Sequence, residues 1–295
     1  MARDNGSLVT VQEISRLLAH RASETELAEA IVSDPSLSSK FELKGGYLTE
    51  RQREGRPSLL EEELIHRQMA RENLGHAARF AGLLDAGAFK MVAVSGSTSY
   101  GSASASRDLD LFCVAPAGKT WLSLTAALVM ARVFNSFSPG SPQICLSCMM
   151  DEDSARSTFA EAHDPLFARD ALQTKVLKGR GTYASLMKTA GWISSYYPLA
   201  YERAGATHAP RGAGRRPSAL SAALNQLLFR LVGRYLGLKA SALNRRLKEA
   251  GRSSDVFEVR SSPDHLIYES KRYTALREKY REALRPRGLF KPDGL

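Results

Sequence analysis

Two acidic residues at alternate positions, preceded by a turn of small residues, have the types and spacing best suited to chemistry in this chain. Gly96-Ser97 is followed, after ten intervening residues, by Asp108-Leu109-Asp110. Side chains two apart in a strand share a face, so the two carboxylates are expected to point together. Like charges this close repel unless a hard divalent cation neutralises them. The pattern therefore predicts Mg²⁺ as the cofactor, with Mn²⁺ as its substitute.

The turn has the properties of a phosphate-binding loop. Gly96 has no Cβ, so its backbone can turn sharply and approach a ligand closely. The amides that follow, with the hydroxyls of residues 97–99, can face phosphate oxygens. Turn and carboxylates together predict a nucleoside triphosphate site, such as one for ATP, at which an in-line hydroxyl attacks. Arg107 and Lys119 are candidates for neutralising phosphate charge, although no motif fixes either.

Together, the Gly-Ser and Asp-x-Asp elements resemble the nucleotidyltransferase superfamily related to DNA polymerase beta. Their spacing is similar to that of its minimal-nucleotidyltransferase branch, and the resemblance covers residues 91–115. It implies that Asp108 and Asp110 are catalytic and metal-binding, and that Gly96 and Ser97 bind the nucleotide. It also implies a short mixed sheet flanked by helices, and Mg²⁺-dependent transfer of a nucleoside monophosphate to a hydroxyl acceptor. Protein and nucleic-acid acceptors both occur in the superfamily.

The same resemblance implies a third carboxylate on a later strand, and here the chain departs from the pattern. The next strand is predicted over Gln143–Met150, where the matching position holds Cys145 or Ser147. Asp151, at the strand end, could reach the metal, or it could cap the following helix. Acids prefer helix N-termini, which favours the cap. Without a third acid, metal and triphosphate binding are better supported than turnover.

A second functional interpretation therefore stays open, in which the chain is a weakly active or inactive regulatory protein that binds DNA or a protein partner. The net charge of +10 at pH 7 is compatible with binding to polyanions. Basic residues concentrate in Arg51–Arg56, in Arg211–Arg216 and from Arg230 onward. Such runs are equally compatible with solvated helix faces or with attraction of nucleotide phosphates.

The first 57 residues predict a winged-helix-like domain. Capping boxes at Thr10 and Ser23 begin two short helices, and alternation around Gly45-Gly46 predicts a hairpin over residues 41–48. Winged helices commonly place their second helix in the DNA major groove. Here that helix, residues 23–33, carries several glutamates, which favours packing or protein contact over sequence-specific DNA binding.

The remaining chain predicts an α+β protein in which helices position the motif. We expect a nucleotidyltransferase domain over 58–200, a linker over 201–217 and a C-terminal helical region over 218–295. Helical periodicity and caps predict helices over 58–84, 121–137, 166–178, 183–196, 218–236, 235–250 and part of 264–284.

Several other side chains have simpler interpretations. His66 and His76 are expected on the surface, because no ligand spacing surrounds them. Trp192, Tyr196 and Tyr197 could stack on a base, but an amphipathic core edge is favoured. The three cysteines, together with an N-terminus that lacks a signal peptide and no apolar membrane span, predict a cytoplasmic protein without a membrane partner.

Overall fold

The computed structural model describes residues 8–18, 20–51, 59–85, 87–101, 103, 108–137, 141–205 and 218–284. These residues form an α+β structure whose strands make one sheet of three strands and one of six. The six-stranded sheet contains the strand that ends just before Gly96 and the strand that carries Asp108 and Asp110. Helices cover both faces of this sheet.

The N-terminal unit contains short helices and a small antiparallel sheet. The capping boxes at Thr10 and Ser23 are both formed, which confirms the two predicted helix starts. Gly45 and Gly46 occupy the left-handed region, with φ of 59° and 82°, and make the predicted hairpin turn. In chain order, the elements are β1 (Val9–Thr10), α1 (Val11–Arg16), α2 (Glu24–Ser33), α3 (Pro35–Ser38), β2 (Phe41–Lys44) and β3 (Tyr47–Glu50).

A buried ionic network joins this unit to the long helix α4 (Leu59–Leu83). Arg67 donates to the Glu63 carboxylate at 2.8 Å and to both oxygens of Glu13 at 3.0 and 2.9 Å. Glu63 is buried and also accepts the backbone N–H of Leu8 at 3.0 Å. Arg67 therefore satisfies a charge that would otherwise be isolated inside the protein. Residue 58, where this helix was predicted to begin, lies outside the described residues.

The six-stranded sheet has the order β7-β4-β5-β6-β9-β8. Strand β5 pairs antiparallel with β4 and parallel with β6, so the central part of the sheet is mixed. The elements after α4 are β4 (Met91–Val94), α5 (Gly96–Ser99), β5 (Asp108–Ala115), α6 (Thr120–Ser136), β6 (Gln143–Asp151), α7 (Glu152–Ala160), α8 (Pro165–Gln173), β7 (Lys175–Lys178), α9 (Arg180–Thr189), α10 (Pro198–Gly205), α11 (Ala219–Glu249), β8 (Phe257–Ser262), β9 (His265–Ser270) and α12 (Lys271–Leu284).

Alternation along β5 divides the core into two layers. Leu109, Leu111 and Cys113 enter the layer shared with α4, α6 and α11, as the strand period predicts. Phe112 and Val114 enter the opposite layer, with helices α7 to α10. The side chains of the Asp-x-Asp motif have the parity of this second layer and lie at the start of β5, where Asp108 is exposed and Asp110 is partly buried.

Several predicted elements differ from those observed. The helix predicted over 166–178 ends at Gln173, and Lys175–Lys178 is instead an edge strand paired with β4. The C-terminal region is not wholly helical, because the hairpin of β8 and β9 joins the main sheet beside β6. The two helices predicted over 218–250 are one continuous helix, α11. Residues 201–205 of the predicted linker are helical, and 206–217 lie outside the described residues.

The expectation of a surface histidine is wrong for His76. Its residue is only 2% exposed, and its ring lies 4.7 Å from that of Phe134, between centroids. Burial lowers the pKa of His76, and the nearby Arg79 cation lowers it further. Within the described residues its Nε2 atom has no hydrogen-bond partner. This side chain is therefore a packing residue of the α4–α6 interface.

The core-edge interpretation of the aromatic segment is confirmed. Trp192, Tyr196 and Tyr197 pack against the second core layer, and the Trp192 Nε1–H donates to the Phe159 carbonyl at 3.0 Å. In the part of the chain that the structure describes, no helix combines the length and apolar character needed to cross a bilayer.

Candidate functional site

The predicted phosphate-binding turn is tied directly to the strand that bears the acids. Strand β4 ends at Val94, and the N–H of Ser95 donates to the carbonyl of Asp110 at 3.0 Å. The chain then turns through Gly96, with φ of 64°, into the single helical turn α5. The Ser99 hydroxyl closes that turn by donating to the Gly96 carbonyl at 2.7 Å. The two halves of the sequence motif are thus neighbours in space.

The closeness of Gly96 and Asp110 is the tightest geometric feature of the site. A Cβ atom built at position 96 would lie 2.8 Å from Oδ2 of Asp110. Real Cβ atoms do not approach a carboxylate oxygen so closely. Two features of position 96 therefore favour glycine: the backbone is in the left-handed region, and the Asp110 carboxylate lies where a Cβ atom would be.

Both acids are available at the surface end of β5. Asp108 is exposed, and Asp110 and Ser97 are partly buried. Burial, followed by the charge of Asp108, raises the pKa of Asp110 to about 6. Desolvation and like charge both disfavour the ionised carboxylate, which is the electrostatic situation that a divalent cation relieves. Asp108 and Asp110 therefore supply the negative charge of a metal site. Two carboxylates alone do not complete the ligands of a metal ion.

A bulge in β6 supplies the neighbours of Asp110. Asp110 pairs with Cys145, whereas Phe112 pairs with Cys148, so β6 carries one extra residue between these points. Side-chain hydrogen bonds from Ser147 and Cys145 favour the ionised form of Asp110 and oppose the rise in its pKa. Burial and the Asp110 carboxylate raise the pKa of the Cys145 thiol, which therefore stays neutral. Cys145 and Ser147, the two residues that sequence reasoning left open, both contact the site.

Asp151 does not join these acids. It pairs with Ala115 at the opposite end of β5, about 16 Å along the strand from Asp110 at about 3.3 Å per residue. Its carboxylate accepts the N–H groups of Ser154 and Gly118, each at 2.9 Å. The helix-cap interpretation of Asp151 is therefore confirmed, and the alternative that it reaches the metal is wrong.

The phosphate-neutralising candidates also need correction. Lys119 lies beyond the far end of β5, where its N–H donates to Pro116, and is therefore remote from Asp110. Arg107 lies outside the described residues. Lys239 of α11 lies near enough to Cys145 for its charge to lower the pKa of that thiol, against the larger raising effects of burial and of the two aspartates. Sequence reasoning missed Lys239 because only the packing of α11 brings it beside β6.

An aromatic and acidic cluster holds the segment that follows the turn. The Tyr100 hydroxyl donates to Asp170 of α8, and Tyr273 of α12 also hydrogen-bonds to that carboxyl group. Burial raises the pKa of Asp170 to about 7. The Arg169 guanidinium lies 4.8 Å from the centroid of the Tyr100 ring. These contacts join residues far apart in the sequence, and no local pattern predicts them.

The residues present fit a magnesium ion held jointly by protein and substrate. Among the described residues, no group of three or more His, Cys, Asp or Glu side chains is arranged to hold a metal. Mg²⁺ does not require such a cage, because it is usually held by one or two carboxylates and by phosphate oxygens. Asp108 and Asp110 can supply the carboxylates.

Comparison of the chain with models of known protein families, with curated proteins and with solved structures found no match.

Proposed function

We propose that this protein is a Mg²⁺-dependent nucleotidyltransferase that transfers a nucleoside monophosphate from a nucleoside triphosphate to a hydroxyl acceptor. The observation that carries the proposal is the contact between Gly96 and Asp110, which joins a small-residue turn to a desolvated carboxylate. Phosphate-binding turns and paired metal-binding carboxylates must be adjacent for this chemistry, because the metal bridges protein and phosphates.

Each side chain has a defined role in the proposed reaction. Asp108 and Asp110 would hold Mg²⁺, which when bound would neutralise phosphate charge. Ser97 and the amides of its turn would orient the triphosphate. A hydrogen bond from Ser147 opposes the rise in the pKa of Asp110. Lys239 adds positive charge on the β6 side of the site.

The neutral Cys145 limits what the site can do to the acceptor. A carboxylate at this position would be adjacent to Asp110 and could take the proton of an attacking hydroxyl. A buried thiol with a raised pKa is a poor base, so deprotonation of the acceptor would fall to solvent or to the acceptor itself. We therefore expect slow transfer relative to a site with three acids.

The neutral Cys145 also favours a second candidate function, that of a regulatory protein which binds nucleotide without turnover. The N-terminal helices and the β2–β3 hairpin support a winged-helix-like unit for contact with DNA or a protein. The exposed acids of α2, Glu24, Glu26 and Glu29, favour a protein over a DNA backbone.

The proposal is tested with triphosphates labelled at the α-phosphate, incubated with the protein, Mg²⁺ and cell extract. We expect labelled product that is lost in Asp108→Asn and Asp110→Asn and retained in Asp153→Asn. Asp153 is an exposed acid of α7 outside the site, so it controls for loss of surface charge.

The regulatory alternative makes a different set of predictions. It would be supported by triphosphate binding without labelled product, together with partner or DNA binding that Asp110→Asn leaves unchanged. Absence of both product and Mg²⁺-dependent triphosphate binding in the wild-type protein would contradict the proposed enzyme and its nucleotide site alike.

A further inference from the structure

The outer face of α11 carries a row of leucines that are exposed among the described residues. Leu220, Leu231 and Leu238 are 80%, 62% and 66% exposed, and Leu224 and Leu227 lie between them on the same face. Large apolar side chains are normally exposed singly, so a continuous row marks an interaction surface. We call these five residues the leucine stripe.

The opposite face of the same helix already holds it to the protein. Asn225 is buried and accepts the N–H of Trp121 at 2.8 Å, while its own amide donates to Pro263 at 3.0 Å. Leu236 and Ala240 are buried as well. Since these contacts fix α11 without the leucine stripe, substitutions in the stripe are expected to leave the fold intact.

The spacing of the stripe matches a partner helix better than a bilayer. Successive leucines are separated by four, three, four and seven residues, which is the apolar repeat of a coiled coil. At about 100° per residue, the five leucines span about 60°, and the exposed Tyr235 at their edge extends the apolar face to about 80°. Helices that lie in a membrane surface present a broader apolar face, commonly with Trp or Phe.

The charge of α11 selects the kind of helix that can pair with it. Glu249 at its end is the acidic residue of this helix, and it lies 3.9 Å from Arg245, beyond the stripe. Arg230 and Arg234 are exposed beside the leucines, and Arg234 occupies a seam position between Leu231 and Leu238. A parallel second copy would place like charges together, whereas acidic flanking residues would pair with these arginines. The basic residues of α11 are Arg230, Arg234, Lys239, Arg245, Arg246 and Lys248.

We propose that the leucine stripe binds an acidic amphipathic helix of another protein in coiled-coil fashion. The partner helix carries apolar residues at the seam and glutamate or aspartate at the flanking positions, where they face Arg230 and can be reached by the long side chain of Arg234 at the seam. This inference rests on the geometry and charge of α11 and does not depend on the proposed nucleotidyl transfer.

The test uses a synthetic helical peptide of about four heptads, with leucine in the seam and glutamate at the flanking positions. Its matched counterpart has lysine at the flanking positions. Binding of each labelled peptide to the full-length protein is followed by fluorescence anisotropy. We expect the glutamate peptide to bind at least tenfold more tightly than the lysine peptide.

Two sets of variants locate the binding. Leu227→Ser with Leu231→Ser should weaken the glutamate peptide at least tenfold, whereas Leu64→Ser with Ile65→Ser, at exposed positions of α4, should not. Arg230→Glu with Arg234→Glu should reverse the preference toward the lysine peptide. Unchanged circular dichroism and melting temperature verify that each variant is folded.

Three results would overturn the proposal. The first is equal or absent binding of the two peptides. The second is a wild-type dimer that Leu227→Ser with Leu231→Ser converts to a monomer in sedimentation, which would assign the stripe to a second copy. The third is binding to phosphatidylserine vesicles that the same variant abolishes, which would assign it to a membrane surface.

Discussion

Asp110 and Cys145 are lateral neighbours on parallel strands, and the Cys145 thiol is one of the groups that hydrogen-bond to the Asp110 carboxylate. A single side chain at position 145 therefore decides whether two or three acids surround the proposed metal. Because the register of β5 and β6 fixes this pairing, the consequence can be tested without altering the backbone.

Cys145→Asp should make both the stability of the protein and its activity depend on a divalent cation. Without divalent cations, a third carboxylate beside Asp110 should lower stability by about 1–3 kcal/mol through repulsion and desolvation. With millimolar Mg²⁺ the loss should be recovered, and labelled product should increase at least tenfold. Thermal unfolding with and without Mg²⁺ measures the first effect. Cys145→Ser, which adds no charge, should show neither change; equal behaviour of the two variants would count against a metal site.

Gly96→Ala should abolish triphosphate binding at a modest cost in stability. The left-handed backbone costs an alanine about 1–2 kcal/mol, and its methyl group would displace Asp110. Gly46→Ala is the matched control, because Gly46 has a φ of 82° but no atom near its Cβ direction. Both variants should lose stability in urea unfolding, and Gly96→Ala should lose more because its methyl group also displaces Asp110. Only Gly96→Ala should lose Mg²⁺-dependent nucleotide binding in calorimetry. An equal loss of nucleotide binding in both variants would refute the contact between Gly96 and Asp110.

The contribution of Asp110 to the stability of the metal-free protein should fall as pH rises from about 4 to 6. Burial raises the pKa of Asp110 from 3.8 to about 6, so the folded protein binds more protons than the unfolded chain over this range. The contribution is complete below the unfolded pKa and is lost as pH passes the folded pKa. Asp110→Asn should remove this loss and make the protein about 1–3 kcal/mol more stable at about pH 7.5.

Urea unfolding across this pH range checks the prediction. A remaining slope should extend to about pH 7 in Asp110→Asn, because burial also raises the pKa of Asp170 to about 7. Asp153→Asn, which alters an exposed acid, should follow the wild-type curve. A difference between the wild-type and Asp110→Asn stability curves that does not change from about pH 4 to 7 would contradict the raised pKa of Asp110.

Arg67→Met should destabilise the protein by about 3–5 kcal/mol, because it leaves the buried Glu63 carboxylate without its cation. Arg71→Met, at an exposed position of the same helix, should change stability by less than about 0.5 kcal/mol. The double variant Arg67→Met with Glu63→Gln should recover much of the loss, since it removes the isolated charge. Denaturant unfolding of all three gives the comparison, and additive losses in the double variant would exclude a coupled pair.

The elements that are determined by neighbouring residues were predicted correctly from the sequence. Hydroxyl side chains followed by glutamate predicted the starts of α1 and α2. The alternation of β5 also gave the correct face for Leu109 and Leu111. In each case the decisive contact lies within a few residues of the signal.

Elements fixed by distant partners were missed. Lys175–Lys178 is a strand because it pairs with β4, although its sequence continues a helical pattern. For β8 and β9 a signal was present, since Phe257 and Val259 alternate with polar residues before a Pro-Asp turn. The approach of Lys239 to Cys145 had no local signal, because only the packing of α11 places the two together.

The pairing of β6 with β9 has a consequence for how the chain is made. Strand β9, at His265–Ser270, covers the edge of β6 beside the site, yet it is synthesised long after that strand has left the ribosome. Until it arrives, the unpaired edge of β6 is open to intermolecular β pairing. Assembly must also wait for a large loop to close, which slows folding. Premature termination before β9 should therefore yield an aggregating product, even though every residue of the turn and of the acidic pair is already present.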